Sequence, residues 1–148
     1  MIKSRLLAAR VLVGAIVFWG MSAGAAGDRF EARIRMVPIG AAERETITGQ
    51  GAATASLEGR HLVVHGSYQG MRGPATHAAL HLGPVMGVRG AEFANLNIEQ
   101  AMAGEFSATL ELTRRQIEAL RAGKVYIQIH STAAPAGNLW GWLLEVKQ

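Results

Sequence analysis

The sequence predicts an all-β domain, an antiparallel β-sandwich or partly open Greek-key barrel with one short α-helix. Three observations carry this: short stretches in which apolar and polar residues alternate, Gly and Pro punctuation between them, and a single segment with a helical capping signature. Phe30-Glu31-Ala32-Arg33-Ile34-Arg35-Met36 alternates with a period of two, as a strand does when one face is buried and the other wet, and Pro38 ends it. Thr46 to Leu57 is a weaker, Gly- and Ala-rich strand closed by Glu58-Gly59. His61 to Tyr68 follows, with Leu62 and Val64 facing one way and His61, Val63 and His65 the other. After the turn signal Gly70 to Pro74, Thr76 to Leu82 puts Ala78, Leu80 and Leu82 on one face and His77, Ala79 and His81 on the opposite one.

Phe93 to Ile98 is ambiguous, whereas Phe106, Ala108, Leu110 and Leu112 alternate cleanly with Glu105, Ser107, Thr109 and Glu111. Thr113 and Gln116 have the spacing of a capping box, which opens a helix over about 113–122 with Ile117 and Leu120 as its apolar stripe. Gly123 can take the left-handed conformation that ends it. Val125, Ile127 and Ile129 then alternate with Tyr126, Gln128 and His130, and Asn138 to Val146 is the last strand. The sequence carries no internal repeat, low-complexity tail or second domain.

Met1 to Arg10 holds Lys3, Arg5 and Arg10 with no acid, Val11 to Gly20 is apolar throughout, and small residues Ser22 to Ala26 follow. This is the layout of a secretion signal, because the apolar run is shorter than the roughly 20 residues a membrane-spanning helix needs and exits through an A-x-A type site. The expected division is a cleavable leader over 1–26 and a β-domain over 27–148, exported to the periplasm or the outside of the cell. No stable membrane insertion is expected after cleavage; an uncleaved N-terminal anchor is the alternative.

Removing the leader takes three of the 15 basic residues and none of the 11 acidic ones, so the formal charge of +4 falls to about +1. The high isoelectric point therefore belongs largely to the leader, and nucleic acid is not an expected partner. The absence of cysteine excludes disulfides, thiolate metal sites, a catalytic thiol and a lipidated N-terminal Cys. A mature chain of about 120 residues buries roughly two-thirds of its unfolded surface, enough for a core without staples.

Two segments resemble the CHRD domain, a family named from chordin and also found alone in exported bacterial proteins. Gly73-Pro74-Ala75-Thr76 leading to Ala79-Leu80-His81-Leu82-Gly83-Pro84 is similar to one signature stretch. Leu120-Arg121-Ala122-Gly123-Lys124-Val125-Tyr126-Ile127-Gln128-Ile129-His130-Ser131, continuing through Pro135, Gly137, Leu139 and Gly141, is similar to the other and is the more specific. The sequence departs from the family pattern at Ala79, where a His would stand, and at Asn138, Trp140 and Trp142, which replace Glu, Arg and Gln. The resemblance implies an extracellular β-domain of immunoglobulin-like or related barrel type and no established reaction.

The expected function is that of a non-catalytic exported binding or interaction domain, with a protein or carbohydrate partner or self-association. Its surface is expected at Trp140 and Trp142, with Tyr126. The spacing of two puts both indoles on one face of the last strand with Leu144 and Val146, while Leu139, Gly141 and Leu143 take the other, and paired aromatics on a sheet face commonly mark a contact surface. A last strand covered on both faces is the plainer alternative.

The second reading is a copper- or zinc-binding protein using His77, His81 and His130, with Asn138 or a Glu to complete the set. A hydrogen-bonded lock at the strand ends is the plainer role for these histidines. His61 and His65 share a different strand face, with nothing to link them to the others. The family's HxH pattern resembles a metal strand of copper/zinc superoxide dismutase, but five His and the single Asp28 cannot supply that enzyme's ligands. No G-x-S-x-G elbow or phosphate loop is present, and the carboxylates are scattered singly, so no catalytic set is expected.

Overall fold

The computed structural model describes residues 27–37 and 44–147. The expected leader over 1–26 and Pro38 lie outside them. The described chain forms β1 (Asp28–Met36), β2 (Gln50–Glu58), β3 (His61–Gln69), β4 (Ala75–Leu82), β5 (Ala91–Ile98) and β6 (Gly104–Glu111). These are followed by α1 (Arg114–Arg121), β7 (Val125–Ser131), β8 (Leu139–Trp142) and β9 (Leu144–Glu145). Every strand pairing is antiparallel.

The all-β class and the single short helix agree with the sequence, but the barrel is closed rather than open. The strand order β2-β3-β6-β5-β4-β7-β8-β1 returns to β2 through the β1–β2 ladder, and β9 lies along β1. The meander β4-β5-β6 with β7 returning beside β4 is a Greek key. Closure rests on two thin seams, β5 to β6 through Asn97↔Ser107 and Ile98↔Phe106, and β1 to β8 through Arg35↔Trp140 and Met36↔Leu139. Between them the wall is two broad sheets, which is why period and turn signals alone read as a sandwich.

Alternation fixes what fills the barrel. Phe30, Ala32 and Ile34 of β1 face Ala53, Ala55 and Leu57 of β2, Leu62 and Val64 of β3, and Ile127 and Ile129 of β7 in one continuous core. The helix closes one end: Ile117, Ala119 and Leu120 belong to the same core, and full burial of a Leu such as Leu120 contributes roughly 1.5–3 kcal/mol. Its ends form as the sequence predicts. Thr113 Oγ1 accepts from the Gln116 amide at 3.3 Å, Thr113 N donates to Gln116 Oε1 at 2.8 Å, and Gly123 takes φ +68° beyond the last turn.

The expected last strand, Asn138 to Val146, is instead broken into β8 and β9, and the chain changes neighbours on the way. Arg35↔Trp140 and Glu31↔Leu144 belong to one continuous register along β1, interrupted at Leu143, whose amide donates to Val125 O of β7 at 3.0 Å. The ambiguous segment forms β5, where a register shift between Leu80 and His81 slips Phe93 out of the ladder. That bulge explains the missing period in the sequence.

Tyr68 is buried at the far end of β3, and its hydroxyl donates to the Glu99 carbonyl, with Ala101 O at 3.1 Å. Burial, foremost, raises the pKa of this phenol above 10.0. In the unfolded chain it ionises near 10.0 while the folded chain keeps its proton, so the contribution is fully present below 10.0 and is lost as pH rises through the folded pKa. Melting temperatures between pH 9 and 11.5 should fall with pH in the wild type, and the slope should flatten in Tyr68→Phe, which has no proton to lose. Parallel slopes would show that Tyr68 ionises as freely as an exposed phenol.

Candidate functional site

The outer face of β4 and β7 differs from the rest of the surface in being largely covered. On β3 the outward residues His61, Val63 and His65 are exposed as expected. On β4 the residues opposite Ala78 and Leu80 are covered as well: Ala79 is 0% and His81 only 8% exposed. The cover comes from two loops, Gly83 to Gly90 between β4 and β5, and Thr132 to Asn138 between β7 and β8. Arg89 Nη1 of the first donates to Ala136 O of the second at 3.2 Å, and Gln128 Nε2, rising from β7, donates to the same carbonyl at 3.2 Å. Gly137, at φ +130°, makes this approach feasible, since a Cβ there would lie 2.1 Å from Gln128 Nε2.

Register lays the side chains in cross-strand rows. Glu92, His81, Tyr126 and Trp142 form one, Ala79, Gln128 and Trp140 the next, and His77 with His130 a third. His81 stacks on Tyr126, ring centroids 5.0 Å apart at 18°, and Tyr126 packs against Trp142 at 4.5 Å and edge-on to Trp140 at 5.7 Å. The two indoles meet each other at 5.7 Å and 70°. Tyr126 is fully buried, so it is not itself a contact surface as expected from the sequence; it is the floor on which the indoles rest. Trp140 and Trp142 share the outward face and are half-buried, while Leu144 and Val146 beyond them are exposed and Leu139, Gly141 and Leu143 point into the barrel.

The histidines occupy distinct environments. The Gly90 carbonyl can only accept, so His81 Nδ1 carries the proton and donates at 3.1 Å; the same carbonyl accepts from the Tyr126 hydroxyl at 3.3 Å, and Gly90 N donates back to that hydroxyl at 3.0 Å. Burial, the largest influence, pushes the His81 pKa below 6.5 against the opposing pull of the Gly90 carbonyl and Glu92, so the ring is neutral near pH 7. Its Nε2 is buried and has no hydrogen-bond partner among the described residues; Glu92 Oε2, at 4.0 Å, is too far to be one. His77 Nε2 donates to Glu92 Oε2 at 3.0 Å, and His130 Nδ1 donates to Pro135 O at 2.8 Å. His81 and His130 thus each hold a loop in place. His130 is the ladder partner of His77, not of His81, with ring centroids 5.6 Å apart.

Asn138 is not placed as a ligand. It is fully buried, its Oδ1 accepts from Ser131 Oγ at 2.9 Å and its Nδ2 donates to Thr48 O at 2.7 Å. Among the described residues no group of three or more His, Cys, Asp and Glu side chains stands ready-made as a metal centre, and no helix is long and apolar enough to cross a membrane.

The apolar core fills the barrel, and the His81, Tyr126, Trp140 and Trp142 rings gather on its outer wall. The chain belongs to the CHRD domain family, whose model matches residues 37–143, from just after β1 to just before β9. No curated protein and no solved structure matches it.

Two features of the face escaped the sequence reading. Glu92 reaches the histidines because of the bulge at His81, which no local pattern announces. The loop residues Val85, Met86 and Val88 are exposed to 54%, 60% and 47%; their signal was a run of apolar residues after Gly83-Pro84, where turn chemistry is normally polar.

Proposed function

We propose that this protein is an exported, non-catalytic binding domain that works in the periplasm or outside the cell and captures a protein partner on the β4–β5 loop and the neighbouring indoles. One observation carries the reading: an apolar strip runs over the outside of a closed barrel. The Trp142 ring tip lies at the root of that loop, 2.7 Å from where a Cβ on Gly83 would stand, so indole and loop form one surface. Val85, Met86 and Val88 extend it into solvent. Exposed apolar patches of this kind mark interaction sites, and Val and Met side chains beside half-buried indoles suit a protein better than a sugar, which stacks on an open aromatic face. The leader-like N-terminus and the family support export. The non-catalytic reading is supported by the filled interior and by the buried Ser131 hydroxyl, which donates to Asn138 and not to a base.

Val85→Asp with Met86→Asp should change stability by no more than about 0.5 kcal/mol, because both side chains are exposed. The same variant should lose capture of partners from the exported fraction, and self-association measured by sedimentation if a second copy is the partner. Unchanged capture and sedimentation would overturn the reading. Trp140→Arg with Trp142→Gln is a different test: the indoles pack on Tyr126, so stability should fall by roughly 1–3 kcal/mol as the aromatic contacts are lost.

A further inference from the structure

We propose that His81, Glu92 and His77 bind a first-row divalent transition cation, copper(II) or zinc(II), with His130 flanking the site. This goes beyond the protein-binding reading and does not depend on it.

The argument starts from the fixed member. His81 is held from both sides, by its Nδ1 bond to Gly90 O and by the Tyr126 ring under it, which leaves Nε2 as a buried lone pair without a donor among the described residues. A backbone carbonyl on one ring nitrogen with the other free is the arrangement that orients an imidazole for a metal. The nearest charged group facing that lone pair is the Glu92 carboxylate, with Oε2 at 4.0 Å. Strand register and the His77 hydrogen bond hold that carboxylate beside a lone pair it has no proton to satisfy, so a cation between them would be bound by both.

Glu92 Oε2 is also 3.0 Å from His77 Nε2. Ligands on zinc bonds of about 2.0–2.2 Å in a tetrahedron lie about 3.3–3.5 Å apart, between those two distances. The three groups are not yet at mutual ligand distance, but only His81 is fixed. The side chains of His77 and Glu92 are 41% and 40% exposed and free to turn toward it. Binding displaces the proton that His77 Nε2 shares with Glu92 to solvent. The His130 ring, tied through Nδ1 to Pro135 O, flanks the site with its centroid 5.6 Å from that of His77. Imidazole and carboxylate together suit copper and zinc, whereas calcium and magnesium demand oxygen.

The test is calorimetric titration of the metal-stripped exported protein with copper(II) and zinc(II), with magnesium and calcium as controls. One equivalent of copper or zinc should bind and neither control ion should. Glu92→Gln and His77→Ala, at exposed positions that leave the core intact, should each weaken binding about tenfold or more, and the double variant should abolish it. The copper form should show nitrogen hyperfine coupling in its electron paramagnetic resonance spectrum. His61→Ala with His65→Ala, on another wall of the barrel, should bind as the wild type does. The Val85→Asp, Met86→Asp variant should also bind metal normally, which separates this inference from the partner reading. Absence of stoichiometric binding by folded wild type, undiminished binding by the Glu92, His77 double variant, or loss on removal of His61 and His65 would each overturn it.

Discussion

Tyr126→Ala is expected to destabilise the domain by about 3–5 kcal/mol and to loosen the whole outer face of the β4-β7-β8 wall. Tyr126 is fully buried outside the barrel core proper and joins four things at once: His81 on one side of its ring, Trp140 and Trp142 on the other, and both backbone groups of Gly90 at its hydroxyl. Removing the ring leaves a cavity under two indoles and unties the β4–β5 loop. Tyr126→Phe keeps the ring and loses only the hydroxyl, so it should cost about 1–3 kcal/mol, the price of an unpaired Gly90 amide. Urea unfolding followed by tryptophan fluorescence measures both, and the emission of Trp140 and Trp142 should move to longer wavelength in Tyr126→Ala before unfolding begins. A cost below about 1 kcal/mol for Tyr126→Ala would mean that the loops hold the face without it.

Phe106→Ala is expected to cost a similar amount, about 3–5 kcal/mol, for a different reason. Phe106 is 1% exposed, and its ring reaches across the β3–β6 ladder to lie over its partner Gly66, where a Cβ would meet Phe106 Cζ at 2.3 Å. Gly66→Ala alone overfills this site and should cost about 1–3 kcal/mol. In the double variant the added methyl partly fills the space the ring vacates, so the two losses should sum to more than the double variant shows. Full additivity would mean that the backbone oxygen of Ala52, 2.7 Å from the same Cβ, and not the ring, is what excludes a side chain at Gly66.

These two sites show what was legible in the sequence. Period-two alternation placed Leu62, Val64, Phe106 and Ile127 inside correctly, because a strand with one buried face leaves that pattern directly. The capping box at Thr113 and Gln116 was readable because it is local. Closure of the barrel was not, since each seam rests on only two residue pairs and one of them joins β1 to β8, segments far apart in sequence. The covered face on β4 and β7 was hidden for the same reason: His77, Ala79, His81, Tyr126 and Gln128 alternate outward in the sequence, and only the meeting of two loops through Arg89 and Ala136 turns that outside into a second interior. The family resemblance located His81 and His130 on the right strands, but their true neighbours, Glu92 and His77, follow from a bulge and a register that only coordinates reveal.

The pairing of Phe30 with Glu145 sets the first and last strands of the domain side by side, and Arg121 at the end of the helix reaches Asp28 at 2.7 Å in the same corner. The domain is therefore a cassette with a single doorway. A short Gly-Ser bridge from Lys147 to Gly27 would leave every ladder intact, so a circular permutant opened in the exposed β4–β5 loop at Met86 keeps the barrel's strand order. The same adjacency lets the domain be spliced into a surface loop of a host protein without stretching either one.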